Sequence, residues 1–490
     1  MAVAIPLASY YDAPLGSLLP VLVVGITITI VWLLQSPIRV VYFLVASIFL
    51  QDPVLILVSI AVPGPAFTLI GTAVLAGKEV IVVACVIYLV ASQTSKAPLK
   101  TPDLWALLYC AYAFLYLVLP NAWIGGVSVG VGAKIASASS AVILVACYML
   151  GRFVPLSTHE VSRLVRTILT FGVASIVAGL AITALPGTWW SSLGFDRLLA
   201  LREGALTSGA NLSSGLGVPL SFYFLDLTPS IIPWPGIRRF SSTILDPIST
   251  GLVFGSLWLL ALEGPVKVGR LIRYAFGAAT ILALGRGGLV LAVLGFTTMR
   301  LKRFYLSAAV AVGGLALALL IYISVLPQTA GVAGTANRWA ALYTDIVQTV
   351  THPLGAGLGT SGYLTVSLLG TDALATYAGL PSFTIESYIG TIGLQLGITG
   401  VLLYLGFTLS ATRAAFRIMQ SPSQTQVASG LALVAAGGML ALTCIGVISA
   451  SGYGFTGAGI SYLICGLAIN LGTRESPRLS AAPVRLPVTN

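Results

Sequence analysis

The sequence predicts an all-α polytopic membrane protein, on three observations. Only 8% of its 490 residues are charged, against roughly 25% in an ordinary soluble domain. Its mean hydropathy is +0.99. Its apolar residues form long unbroken runs, not the apolar–polar alternation of a membrane β-barrel strand. The prior of one domain per ~150 residues does not apply to a chain of spans.

Runs of spanning length fall at 16–34, 39–51, 53–74, 79–92, 103–119, 135–151, 162–184, 248–262, 267–285, 287–300, 303–326, 386–410, 427–448 and 454–471. The runs 39–51, 79–92 and 287–300 are short enough to be half-spans, so the expected count is 12–14 helices. The Pro63-Gly64-Pro65 triplet must break or bend its span. The first fifteen residues hold no Lys or Arg, which argues against a cleaved signal peptide and for 16–34 as a retained span.

The chain then divides into N-terminal transmembrane helices (1–184), a long extracytoplasmic segment (185–247) and transmembrane helices with an Arg286 hairpin (248–326). A second long extracytoplasmic segment (327–385), C-terminal transmembrane helices (386–471) and a mobile cytoplasmic tail (472–490) follow. Trp189, Trp190 and Trp234 in the first long segment suit a membrane interface. In the second, Thr335 can cap a short helix through about 350, with Trp339, Tyr343, Ile346 and Val350 at helical spacing. Both long segments are expected to pack on the outer mouth of the bundle.

The net charge is +11, from 25 Lys and Arg against 14 Asp and Glu. A basic chain can signal nucleic acid, but basic residues also mark the cytoplasmic loops of membrane proteins. Connectors 93–102, 152–166, 263–273, 300–303 and 411–425 and the tail hold 16 of the 25, all on one side of a fourteen-span chain. That side is the cytoplasm, with both termini inside and no nucleic-acid partner. Arg39 and Lys78 fall on the wrong side of this arrangement. Cys85, Cys110, Cys147, Cys444 and Cys465 lie in or beside apolar runs without CxxC spacing and read as packing residues.

The remaining arginines stand against the rule. Arg286 sits in Gly285-Arg-Gly-Gly288 between two apolar runs whose far ends are basic. A tight hairpin puts it at or below headgroup depth, where it either meets a ligand or snorkels to water. Its glycines let a phosphate approach the backbone. Arg238 and Arg239 open a dense polar stretch through Thr250 and can grip phosphate bidentately. Asp246, before Pro247, either joins that lining or caps the next helix. Arg338 is the sole basic residue of the second long segment and is a surface charge or a phosphate ligand. His352, before the turn Pro353-Leu-Gly-Ala-Gly-Leu-Gly-Thr360, is a packed or capping residue or a catalyst. Glu386 opens the following span, as a dipole-stabilising carboxylate or a general base for a sugar hydroxyl. No Asp-x-Asp pair, Walker loop or His–Cys cluster is present, so the sequence implies no metal and no cofactor.

In their order, the pieces over 235–410 resemble the O-antigen ligase and Wzy-type polysaccharide polymerase family. The resemblance rests on Arg239 to Gly251 before a span, Gly285-Arg-Gly-Gly288 between spans, and Asn337-Arg-Trp opening a short helix. It continues with His352-Pro-Leu-Gly-Ala-Gly-Leu-Gly359, then Glu386-Ser387 and Gly397-Ile-Thr-Gly400. It implies transfer of a glycan from an undecaprenyl-pyrophosphate donor to a glycan acceptor, outside the cytoplasmic membrane and without a nucleotide sugar. It also implies membrane lipids and a chain-length regulator protein as partners. Ligases often carry a His-Asn pair where Glu386-Ser387 stands, which favours polymerase over ligase. Catalysis is then expected from Arg286 with Glu386 or His352, and substrate binding from Arg238, Arg239, Asp246 and Arg338. A transporter of an anion or a lipid-linked glycan, with Gly- and Pro-interrupted helices, is the rival from another class. A structural scaffold is a third.

Overall fold

The computed structural model describes residues 18–62, 65–93, 98–126, 128–184, 197–198, 223–224, 237–283, 285–325, 346–360, 387–448 and 454–480. Among these it is an all-α bundle. Its helices are α1 Leu18–Leu34, α2 Pro37–Ala61, α3 Pro65–Gln93, α4 Thr101–Val118, α5 Val131–Phe153 and α6 Thr158–Ala184. Then come α7 Pro247–Glu263, α8 Arg270–Leu282, α9 Arg286–Leu301, α10 Phe304–Val325, α11 Tyr388–Gln420, α12 Gln426–Ile448 and α13 Phe455–Ser480. Eight of them, α2 to α6 and α11 to α13, are long and apolar enough to cross a membrane. In the first long segment β1 (Tyr223–Phe224) pairs antiparallel with β2 (Ile237–Arg238), Tyr223 opposite Arg238.

One stretch departs from the expected segmentation. The three runs 39–51, 53–74 and 79–92 are two helices, α2, which ends at Ala61, and α3, which starts at Pro65. Asp52-Pro53 and Gly77-Lys78-Glu79 look like loop residues in sequence, yet all lie inside helices. They can do so because they satisfy one another. Lys78 Nζ donates to Gln51 Oε1, and Gln51 Nε2 donates to Asp52 Oδ1 at 3.3 Å. Lys78 also sits 4.9 Å from the Phe455 ring centroid, and Ser139 Oγ donates to Glu79 Oε2. Polar groups at membrane depth persist when they find such partners.

The joins at 98–101, 153–158, 263–270, 301–304 and 420–426 are tied together at one end: Arg152 donates to Pro98 O and reaches Thr473, Gln424 Nε2 donates to Gly472 O, Gln420 Nε2 donates to Lys302 O, and a Cβ on Gly430 would lie 2.8 Å from Glu263 O. Among the described residues, that basic end carries 14 of the 21 Lys and Arg. Two expected connectors are also helical. The segment 411–420 extends α11, and 472–480 extends α13.

The core is assembled through small residues. Without a hydrophobic force between helices in lipid, close backbone approach supplies the packing. On α5 and α13, Gly151 and Gly466 face each other so tightly that a Cβ on either would overlap the partner backbone. The basic end is closed by Arg152, whose Nε lies 3.1 Å from Asp103 Oδ2, both side chains fully buried. Tyr148 OH donates to Asp103 Oδ1 at 2.6 Å, and Arg152 Nη2 donates to Pro98 O at 2.9 Å.

Candidate functional site

The other end, the loop end, brings two structures together. The first is the junction of α7, α8 and α9. Phe240 N donates to Leu282 O at 2.9 Å, tying the polar stretch to the end of α8. Some of its hydroxyls find partners, while the buried Ser241 Oγ has none among the described residues. Thr243 Oγ1 lies 2.7 Å from Ser175 Oγ on α6, and Ser242 Oγ lies 3.3 Å from Thr250 Oγ1. Asp246 caps α7, Oδ1 accepting from Ile248 N at 3.1 Å and Oδ2 from Ser249 N at 3.0 Å, ahead of Pro247 at the first helical position. The capping alternative for Asp246 is therefore the one the geometry displays. Arg239 is half-buried at the start of this stretch. Of Arg238, β2 fixes only the backbone.

α9 crosses α7 at glycine. A Cβ on Gly288 would lie 2.6 Å from the Gly251 backbone, and one on Gly285 would lie 3.6 Å from Ile248 Cα. Arg286 opens α9 behind Gly285 as N-cap. Its backbone is thus held beside the 239–251 stretch, while its side chain lies outside the described atoms.

The second structure is a broken helix filled by a loop. Inside α11, Gly397 adopts φ 67° and ψ −171°, which interrupts the helical ladder. The Gly-rich turn 352–360 supplies the missing partners. Ala356 N donates to Leu394 O at 2.7 Å, Gly357 N to Gln395 O at 3.1 Å, and Ile398 N to Pro353 O at 3.0 Å. Irregular backbone at this depth is tolerated only when buried in protein and satisfied in this way. Gly355, Gly357 and Gly359 have φ of 72°, 92° and 82°, which side-chain-bearing residues rarely adopt.

The turn is held from beneath by α4 and α5. Tyr116 OH donates to Leu354 O at 2.6 Å, and Asn121 Nδ2 donates to Leu358 O at 3.0 Å. Tyr112 OH donates to Tyr116 OH at 3.0 Å. Lys134 Nζ donates to the carbonyls of Tyr116 and Leu119. Gln395 Nε2 reaches Ser137 Oγ at 3.5 Å.

The two structures meet at the end of α12. A Cβ on Gly287 would lie 3.5 Å from Ile445 Cγ2, and Ser387 Oγ donates to Gly446 O at 3.2 Å. Ser387 also caps α11, accepting from Gly390 N at 3.0 Å. Residues next to Arg286 and next to Glu386 therefore touch the same turn of α12.

His352 is exposed and ends a helical turn over 346–351. Its N donates to Gln348 O at 2.8 Å, and Thr351 Oγ1 lies 3.1 Å from its Nδ1. Arg338 and Glu386 lie outside the described residues, as do Trp339 and Tyr343 of the expected short helix. Among the described residues, no group of three His, Cys, Asp or Glu is close enough to hold a metal.

Sequence reasoning missed the polar residues that the bundle buries: Gln51, Asp52, Lys78 and Lys134. The signal was available. A lysine within or at the edge of an apolar run is a functional candidate before it is a span boundary. Compared with known proteins, the chain matches no family model and no curated protein.

Proposed function

We propose that the chain is a polysaccharide polymerase that extends a glycan from an undecaprenyl-pyrophosphate-linked donor. The observation that carries the reading is the convergence of three distant pieces, 239–251, 285–288 and 387, around the end of α12. In this reading the basic end faces the cytoplasm by the excess of Lys and Arg there, and the loop end faces outward from the cytoplasmic membrane.

A hydroxyl of the acceptor sugar attacks the anomeric carbon of the donor. A new C–O bond forms as the C–O bond to pyrophosphate breaks, and the lipid pyrophosphate leaves with the electron pair. Glu386, or else His352, takes the hydroxyl proton. Arg286, with Arg239, Arg238 and Arg338, stabilises the charge that grows on the leaving group. The absence of an Asp-x-Asp pair in the sequence makes arginine the natural source of that stabilisation. Attack opposite the leaving group inverts the anomeric centre. A chain-length regulator is the expected protein partner.

The test uses purified protein and lipid-linked repeat units. Wild type lengthens chains, and Arg286→Ala loses the activity. No lengthening by wild type, or full activity in Arg286→Ala, overturns the reading. An O-antigen ligase is the near alternative, and cells lacking it accumulate finished polymer on the lipid carrier. The broken α11, with its ladder completed by a separate loop, also favours a transporter, since discontinuous helices build many transport sites. Substrate-dependent uptake into liposomes without elongation would reverse the ranking.

A further inference from the structure

Lys134 is placed badly for its own helix. It lies in the fourth position of α5, near an N-terminus whose partial charge is already positive, and it is only 8% exposed. A buried ammonium there costs stability unless something beyond α5 uses it. What uses it is α4. The last carbonyls of a helix have no partners inside that helix and carry its negative end. Lys134 Nζ donates to two of them, Tyr116 O and Leu119 O. It thus fixes the end of α4 against α5.

That end of α4 is what the Gly-rich turn rests on. The Tyr116 hydroxyl donates to Leu354 O, and the Tyr116 carbonyl accepts from Lys134. Asn121, two residues beyond Leu119, holds Leu358 O and fills the space that a side chain at 357 would need. Gly359 packs directly on the α5 backbone, where its Cβ would lie 3.2 Å from Lys134 N. The turn in turn completes the ladder of α11 on both sides of Gly397. The contacts form one chain: Lys134, the end of α4, the turn, the break in α11.

We propose that Lys134 is a positioning residue that seats the Gly-rich turn in the broken helix, and through it sets His352 at the head of that turn. The charge is the working part, because a cation is held by the negative end of α4 more strongly than a neutral donor. The effect on the reaction rests on the polymerase reading above. The effect on the turn does not.

The experiment therefore reads both. A cysteine placed at Leu358, which is fully buried, reports seating by its labelling rate with a membrane-impermeant maleimide. Cys147 and Cys465, fully buried in the bundle core, report global unfolding in the same sample. In Lys134→Gln we expect labelling at position 358 to rise at least ~10-fold while Cys147 and Cys465 stay protected, and Lys134→Arg to restore protection. We expect chain lengthening to fall by about 100-fold, as for a misplaced site, and to recover in Lys134→Arg. Unchanged labelling at 358 overturns the proposal, whatever the activity. So does simultaneous labelling of Cys465, which would make Lys134 a general fold residue. A released turn with full activity overturns its link to the reaction. A wild type without polymerase activity sinks the functional reading alone, because the labelling still decides the role of Lys134.

Discussion

The helices α4 and α5 meet twice, once at each end of the bundle, and the two junctions handle buried charge in opposite ways. At the basic end Arg152 and Asp103 cancel each other directly, with Tyr148 and Pro98 O completing their hydrogen bonds. At the loop end Lys134 meets neutral carbonyls, and a loop rather than a side chain closes the structure. The first arrangement is closed and self-sufficient. The second draws on backbone from three separate parts of the chain, so its geometry depends on each of them. A junction of the first kind holds a bundle together. One of the second kind holds a surface in a particular shape.

The sharpest way to break this comparison is to unbalance the closed junction. Asp103→Leu leaves Arg152 buried without its counter-charge, and such losses run to about 3–5 kcal/mol. We expect a large fall in the thermal transition of the purified protein. The double variant Asp103→Leu with Arg152→Met should recover most of it, because an apolar pair of similar volume often replaces a buried ion pair at little cost. If the single variant is nearly as stable as wild type, the basic end is not the anchor described.

A smaller effect tests the open junction. Gly397 holds φ 67° with ψ −171°, a region essentially reserved for glycine. Gly397→Ala should cost about 1–3 kcal/mol, and it should also unseat the turn, because a Cβ there would overlap Pro353 O. Gly438→Ala on α12 is the control. Its Cβ would meet only Ser461, at an ordinary 3.4 Å from Oγ and 3.7 Å from Cβ. Raised hydrogen exchange at 353–358 in Gly397→Ala, with none in Gly438→Ala, is the expected pattern. Equal behaviour of the two variants would mean that the break in α11 does not depend on glycine.

The contrast also explains what could be read from sequence. Apolar runs located most helices to within a few residues, since 131–153 and 247–263 differ little from 135–151 and 248–262. The misreading of 39–92 has two causes: Gln51, Asp52, Lys78 and Glu79 look like the ends of runs, and the true break between Ala61 and Pro65 falls inside the run 53–74. Their pairing across α2, α3 and α5 is a tertiary fact that no local pattern carries. The Gly-rich turn was legible as a turn. That it completes a helix 40 residues further along was not, because nothing in Gly397 announces a break whose partners lie at 353–357. Likewise Gly285-Arg-Gly-Gly288 marked a close backbone approach, but only the fold shows that Gly251 is what approaches.

The mildest prediction separates two roles for Asp246. Unlike Asp103, which faces a cation, Asp246 spends both carboxylate oxygens on the backbone of α7, at Ile248 N and Ser249 N. Capping needs an acceptor oxygen and not a charge, and asparagine caps about as well as aspartate. Asp246→Asn should therefore leave the thermal transition within a few tenths of a kcal/mol, whereas Asp246→Ala should cost about 1 kcal/mol. A role toward substrate would divide the variants differently. If the charge itself orients a hydroxyl or a neighbouring arginine, Asp246→Asn loses chain lengthening while keeping its stability. If Asp246 serves only the helix, Asp246→Asn keeps both, and any loss in Asp246→Ala follows its stability. Measuring transition and activity on the same two variants decides whether this carboxylate belongs with the closed chemistry of the basic end or with the site at the other.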